Sequence, residues 1–151
     1  MRKEFVMRGQ TADFKTTAAT EVLNFSGYKP GYAYRLVEFS LYPSTGLGTG
    51  SGELLGSITA GKTVADPEAA NFNDNGLIGS VVLMWRNDSF GPYGTTVIND
   101  TFLITQNLIL SVADVAGGAP VNWQCRFESV KMSGPEEAAV NYKQFTISDG
   151  S

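Results

Sequence analysis

The chain has 151 residues, a common length for one domain, with 42% hydrophobic residues, 17% charged residues and a net charge of −4. The acidic balance argues against a nucleic-acid binder, which relies on basic surface. There is no histidine and only one cysteine, which excludes Ser-His-Asp and Cys-His catalysis and an intrachain disulfide. We therefore expect a single domain spanning residues 1–151, not an enzyme, with no cofactor and no bound metal.

Segments that would direct the chain into or across a membrane are missing from the sequence. The N-terminus has no apolar region of signal-peptide length, and no stretch approaches the ~20 apolar residues of a membrane-spanning helix. We expect a soluble protein that is made in the cytoplasm and does not enter a membrane.

In the first third of the chain, short apolar runs between Gly, Pro and Asn predict strands at Arg2–Arg8, Glu21–Ser26 and Tyr32–Tyr42, with a loop at Thr11–Thr20. In the third strand the apolar residues change face midway. The first three are Tyr32, Tyr34 and Leu36, and the next three are Val37, Phe39 and Leu41. A change of face within a strand predicts a β-bulge.

The middle of the chain alternates strands with long loops. Strands are expected at Glu53–Lys62 and Leu77–Arg86, and the second is so continuously apolar that we expect it to be buried on both faces. The loops are expected at Pro43–Gly52, Asp66–Gly76 and Asn87–Thr96, where Gly, Asn, Asp and Pro are concentrated.

The clearest strand pattern lies at Val121–Lys131, where apolar and polar residues alternate strictly. Its apolar face consists of Val121, Trp123, Cys125 and Phe127. Before it, strands are expected at Thr101–Thr105 and Leu108–Val112. After it, Ser133–Glu137 predicts one helical turn at most, followed by a last strand at Val140–Ile147.

About eight strands with turn signals every ~8–12 residues predict an all-β fold. Eight antiparallel strands with long end loops favour a jelly-roll-like β-sandwich. An immunoglobulin-like sandwich is the alternative, although the Cys-Trp-Cys signature of true immunoglobulin domains is missing.

The segment Gly56–Thr63 matches the phosphate-binding pattern GxxxxGK[ST] letter for letter. A phosphate-binding loop must lead into a helix, whose N-terminus faces the phosphate. Pro67 would interrupt such a helix almost at once, so we expect no nucleotide site here.

The segment Asn71–Gly76 has the oxygen-rich composition of a calcium loop. An EF-hand needs a glutamate six residues after the glycine, and Val82 stands there. We therefore interpret the segment as an Asn/Gly turn.

Four residues are candidates for contact with a protein or glycan partner. Phe90 and Tyr93 are aromatic residues in a Gly/Pro-containing loop, where an apolar ring with polar surroundings suits an interface. Arg2 and Phe5 lie in the first predicted strand, which is free to pair with a neighbouring molecule.

Four stretches of the chain resemble small virion proteins encoded beside capsid genes in marine tailed bacteriophages. They are Met1–Gln10, Gly31–Phe39, Ile98–Asn107 and Asn122–Ser129. The resemblance implies a capsid decoration or cement protein, located in the virion, that binds the outer shell and bridges capsomers. It implies as partners the major capsid protein and copies of the chain itself, as a trimer or dimer. A tail or fibre domain that binds a receptor or glycan is the alternative, and a small enzyme is a third reading that the missing catalytic residue types disfavour.

Overall fold

The computed structural model describes residues 4–11, 19–25, 31–44, 52–60, 66–86, 93–115 and 119–148, and at residues 141 and 143–148 it describes the backbone alone. These residues form eight strands and one helix. In chain order they are β1 Glu4–Gln10, β2 Ala19–Leu23, β3 Tyr32–Pro43, β4 Gly52–Ala60, β5 Leu77–Trp85, β6 Tyr93–Ile98, β7 Leu108–Asp114, β8 Val121–Lys131 and α1 Gly134–Ser148.

The strands form two antiparallel sheets that pack face to face. One sheet has three strands in the order β1-β8-β3, and the other has five strands in the order β2-β7-β4-β5-β6. The pairs β1-β8, β2-β7 and β4-β5 are those of a long antiparallel ribbon wrapped into a jelly roll. The ribbon's fourth pair, β3-β6, is replaced by a hydrogen bond of 3.1 Å from Thr96 Oγ1 to the Phe39 carbonyl.

This architecture confirms the prediction of an all-β sandwich of jelly-roll type. The immunoglobulin-like alternative requires β2 to lie beside β5, as strands B and E of that fold do. Here β2 pairs with β7 instead.

Strand β8 is the centre of the smaller sheet, as its alternating sequence predicts. Its four apolar residues face the core with at most 7% of their surface exposed. The predicted bulge in β3 is confirmed, because the pairing of β3 with β8 shifts register between Leu36 and Glu38. Both sheets contribute to one apolar core, and its largest fully buried side chains are Phe127, Leu23, Leu36, Leu54, Ile58, Ile78, Ile104, Leu108, Leu110, Val112 and Val121.

The predicted last strand, Val140–Ile147, is wrong, because these residues belong to helix α1. The helix begins after Ser133, whose hydroxyl accepts a hydrogen bond of 3.3 Å from the Glu136 amide. The Ser133 carbonyl accepts the first helical bond, from the Glu137 amide at 2.9 Å. This N-cap and the helix-forming pair Ala138-Ala139 outweigh the alternating pattern that follows them.

The predicted strand Thr101–Thr105 is also wrong. This segment contributes only an isolated bridge between Ile104 and Tyr34. The strand that occupies this part of the fold is β6, which begins inside the predicted loop Asn87–Thr96. Its β-branched run Thr95–Ile98 favours extended backbone, whereas Asn99 turns the chain by accepting a hydrogen bond of 3.2 Å from the Thr101 amide.

Strand β5 is buried on both faces only at its start, over Leu77–Gly79, so the expectation for Leu77–Arg86 is correct there and wrong for the rest of the strand. Its burial declines along the strand, and Met84 on the outer face is 40% exposed. In strand β4, residues 56–60 of the phosphate-loop match have extended backbone that pairs with β7, and residues 56–59 also pair with β5, so they form no glycine loop. The rest of that match, residues 61–63, lies outside the described residues.

Candidate functional site

The outer faces of the two sheets differ in charge. On the five-stranded sheet, β5 and β6 place six side chains on the outer face in directly opposed pairs. We define them as the β5–β6 surface: Ser80 opposite Val97, Val82 opposite Thr95, and Met84 opposite Tyr93. All six are uncharged at neutral pH, and the large apolar ones at the exposed end are accessible to solvent.

The β5–β6 surface carries exposed apolar side chains at both of its ends. Tyr93 is 60% exposed, Met84 40% and Val97 50%. Met84 and Tyr93 form an apolar patch, because directly opposed side chains of an antiparallel pair lie about 5 Å apart, whereas Val97 lies about 13 Å further along β6, beyond the pair Val82 and Thr95. Exposed apolar patches of this kind mark interaction sites more often than scattered single residues do.

Strand β6 ends the five-stranded sheet, so within the described part of the chain no strand pairs with one of its sides. Its sequence, Tyr-Gly-Thr-Thr-Val-Ile, has none of the lysines or prolines that commonly protect sheet edges. Its link to β3 is the Thr96 side-chain bond to Phe39 rather than a backbone ladder. An uncharged edge of this length can accept an added strand.

The outer face of the three-stranded sheet is charged. It presents Glu4, Arg8, Arg35, Glu38, Arg126 and Glu128. Arg126 Nε lies 3.0 Å from Glu38 Oε2, and Arg126 Nη1 lies 3.7 Å from Glu4 Oε2. The hydrogen bond and charge of Glu38 raise the pKa of Arg126. The side chains of Arg126 and Glu38 are 37% and 62% exposed, so these two charges keep water contact that burial in an interface would remove.

The four predicted contact residues fall in different places. Tyr93 lies on the β5–β6 surface. Phe5 faces inward, with ring centroids 5.4 Å from Tyr34 and 5.5 Å from Phe127, and it remains 37% exposed at the rim of the sandwich. Phe90 and Arg2 lie outside the described residues. The structure therefore places Tyr93 opposite Met84, which was not among the four predicted contact residues.

Sequence reasoning missed Met84 and Val97 as surface residues. Met84 lies in a continuous apolar run that is typical of a buried strand, and Val97 directly follows the predicted loop Asn87–Thr96. The signal that separates them from core residues is the register of β5 against β6, which puts both on the face opposite the core. Register depends on the long-range pairing of the strands and could not be obtained from either segment alone.

The described residues contain no group of three or more Cys, Asp or Glu side chains placed to hold a metal ion. Across the same ranges, no helix combines the length and apolar character needed to cross a bilayer. The Asn71–Gly76 segment forms two side-chain turns, with Asn71 Oδ1 accepting from the Asn73 amide at 3.0 Å and Asp74 Oδ1 accepting from the Gly76 amide at 2.9 Å. This confirms its interpretation as a turn.

Two comparisons of the sequence with known proteins assign no family to the chain. No protein-family model matches the chain, and a search of the curated proteins finds no similar sequence.

Proposed function

We propose that the chain is a bacteriophage virion protein that decorates the capsid and attaches to the outer shell through the β5–β6 surface. The observation that carries this proposal is the contrast between the two outer faces. On the five-stranded sheet the β5–β6 surface carries no charge and borders the single carboxylate of Glu53, whereas the outer face of the three-stranded sheet presents six charged side chains. The likeness of four sequence stretches to small phage virion proteins supports the shell as the partner.

Burial of the Met84 and Tyr93 end of the β5–β6 surface would remove apolar area from water, with Glu53 of β4, opposite Met84, as the charged group at its border. Met84 and Tyr93 supply that area, and the Tyr93 hydroxyl offers a polar group at its end. Burial of the opposite face would require Arg126 and its carboxylate partners to lose their hydration, which costs several kcal/mol per ion. The β5–β6 surface is therefore the better docking face.

The free edge of β6 gives this docking a second component. A strand or extended segment of the major capsid protein, or of a neighbouring copy of the chain, can add to β6 through backbone hydrogen bonds. Main-chain bonds of this kind hold the partner in register, while the side chains of the β5–β6 surface supply apolar contact. Repetition over a symmetric shell then adds many weak contacts into firm attachment.

This role is passive. The chain would bridge neighbouring capsomers and strengthen the shell by contributing buried interface at their junctions. Its partners would be the major capsid protein and copies of itself, as a dimer or trimer on the virion surface.

The alternative is a tail or fibre domain that binds a host receptor. Copy number separates the two, because a decoration protein occurs once or more per capsomer, whereas a fibre occurs only at the tail.

Size-exclusion chromatography with light scattering, with and without purified empty capsids, tests the proposal. We expect co-elution at a fixed ratio of chains to capsomers that saturates as protein is added. A stable free oligomer that does not associate with capsids would reject shell attachment and favour the tail.

A further inference from the structure

A cavity of about 270 Å³ lies where the loop before β5 meets the end of β6. Its wall combines one aromatic ring with several small polar side chains. Those that carry the argument are Phe72, Asp74, Asn75, Ser80, Val97 and Asn99. The volume is just below the ~300–1,000 Å³ of typical ligand pockets, which suits a single sugar ring rather than a long oligosaccharide.

Phe72 supplies the apolar side of this cavity. It lies in the loop at Asp66–Gly76, and 66% of its surface is exposed. Such exposure leaves a phenyl face available for stacking. The C–H groups on one face of a pyranose are weakly positive and are attracted to the negative face of an aromatic ring.

Two side chains in the wall are fixed in place and keep a hydrogen-bonding atom each. Asp74 uses Oδ1 to accept the Gly76 amide at 2.9 Å and retains Oδ2 as an acceptor. Asn99 uses Oδ1 to accept the Thr101 amide at 3.2 Å and the Thr101 hydroxyl at 2.7 Å, and it retains Nδ2 as a donor. An acceptor and a donor held in this way suit the vicinal hydroxyls of a sugar.

The backbone around the cavity is also held by hydrogen bonds. The Ala60 amide donates to the Gly76 carbonyl at 2.8 Å, the Leu77 amide to the Asp74 carbonyl at 3.2 Å, and the Asn99 amide to the Ile78 carbonyl at 2.8 Å. Because the walls are ordered before a ligand arrives, less conformational entropy is lost on binding.

The Ser80 hydroxyl is a further, independent observation. Its Oγ is buried and has no hydrogen-bond partner within the described part of the structure. A buried polar atom without a partner destabilises the folded chain, and a functional site is a common reason for its retention. Ser80 lies in the wall of this cavity. A ligand hydroxyl or a water molecule that moved slightly into the wall could therefore form a hydrogen bond with the Ser80 Oγ.

We propose that this cavity binds a neutral hexopyranose, such as the terminal residue of a surface glycan. Asp74 is the charged group among the described residues of the wall, so its carboxylate would repel acidic sugars. The site goes beyond shell attachment and does not depend on it. It lies at the Ser80 and Val97 end of the β5–β6 surface, which leaves the Met84 and Tyr93 end for the shell.

The test is a panel of immobilised neutral, amino and acidic saccharides, followed by NMR titration of the free sugar that binds best. The variants are Phe72→Ala, which removes the ring, Asp74→Asn, which keeps the Oδ1 acceptor for Gly76, and Asn99→Asp, which keeps the acceptor for Thr101 but removes the donor. Tyr142→Ala is the matched control, because Tyr142 is 71% exposed and is not part of the cavity wall.

We expect the wild-type protein and Tyr142→Ala to bind a neutral hexose equally well. Phe72→Ala should weaken binding about tenfold, and the two conservative variants should weaken it severalfold with an unchanged thermal midpoint. Failure of the wild-type protein to bind any neutral sugar at millimolar concentration, or an unchanged affinity in Phe72→Ala, would overturn the proposal. A protein that binds capsids but no sugar would reject this site alone, and the reverse result would reject shell attachment alone.

Discussion

Cys125 lies at the middle of β8 on the face that packs into the core, and none of its surface is exposed. Burial raises the pKa of its thiol from 9.0 to about 12, because the thiolate loses its hydration in the apolar interior. The thiol is therefore a small apolar core group at neutral pH rather than a nucleophile.

The raised pKa of Cys125 predicts a loss of stability in alkali. The unfolded chain releases this proton above about pH 9, whereas the folded chain retains it up to about pH 12. The contribution is thus fully present below pH 9 and is lost as the pH rises through this window, by about 1.4 kcal/mol between pH 8 and pH 10. Urea unfolding at the two pH values should show this extra loss in the wild-type protein relative to Cys125→Ala. Equal losses in both proteins would contradict the prediction.

Gly31 adopts a φ of 87° in the turn before β3, where its carbonyl accepts the Met132 amide at 2.7 Å. A side chain is strained in this left-handed conformation, so Gly31→Ala should lower the free energy of unfolding by about 1 kcal/mol. Gly134→Ala is the control, because an added Cβ there meets no atom within 4 Å. Chemical denaturation that shows the same stability for both variants would count against this account.

At the scale of elements, helix α1 depends on its first turn. Ser133 caps it, and Glu136 and Glu137 place negative charge near its N-terminus, where the helix dipole favours it. Ser133→Ala should destabilise the helix by about 1 kcal/mol. We expect faster amide hydrogen exchange in α1 and little change in β8. Unchanged exchange in α1 would show that the cap does not stabilise it.

The strands that could be predicted are those whose pattern is local and strong. The alternation of Val121–Lys131 gives both the strand and its buried face, and the shift of face in β3 gives the bulge. Helix α1 was missed because Val140–Ile147 alternates weakly, although Ser133 and Glu136 form the Ser-x-x-Glu spacing of a capping box. The last turn of the helix contains no basic residue, so the charge pattern that often marks the C-terminal end of a helix is missing.

The candidate site could be predicted only in part, because it depends on pairing between distant segments. Tyr93 could be predicted as a contact residue, because it is an aromatic residue in a Gly/Pro-containing segment. Met84 could not be joined to it, since only the antiparallel register of β5 with β6 places them opposite each other. The cavity beside Phe72 likewise needs Asn99 and Asp74 to converge, although 25 positions separate them in the sequence.

At the scale of the whole molecule, the jelly roll separates an outer face with six charged side chains from one whose β5–β6 surface carries none and borders Glu53. The core uses the inner faces of both sheets, so neither outer face is required for the main packing between them. The charged face can keep the protein soluble while the β5–β6 surface is buried against a partner. Orientation on the shell would follow from this asymmetry, with the three-stranded sheet facing solvent.

The central claim is that the Met84 and Tyr93 end of the β5–β6 surface attaches the protein to the shell, and co-sedimentation with purified empty capsids tests it most directly. The double variant Met84→Lys with Tyr93→Lys puts two charges into the proposed interface, and Tyr42→Lys puts one on the outer face of the three-stranded sheet, where Tyr42 is 67% exposed. We predict saturable sedimentation of the wild-type protein and Tyr42→Lys, and loss of sedimentation in a folded double variant. Equal sedimentation of all three proteins, or loss in Tyr42→Lys alone, would contradict the claim.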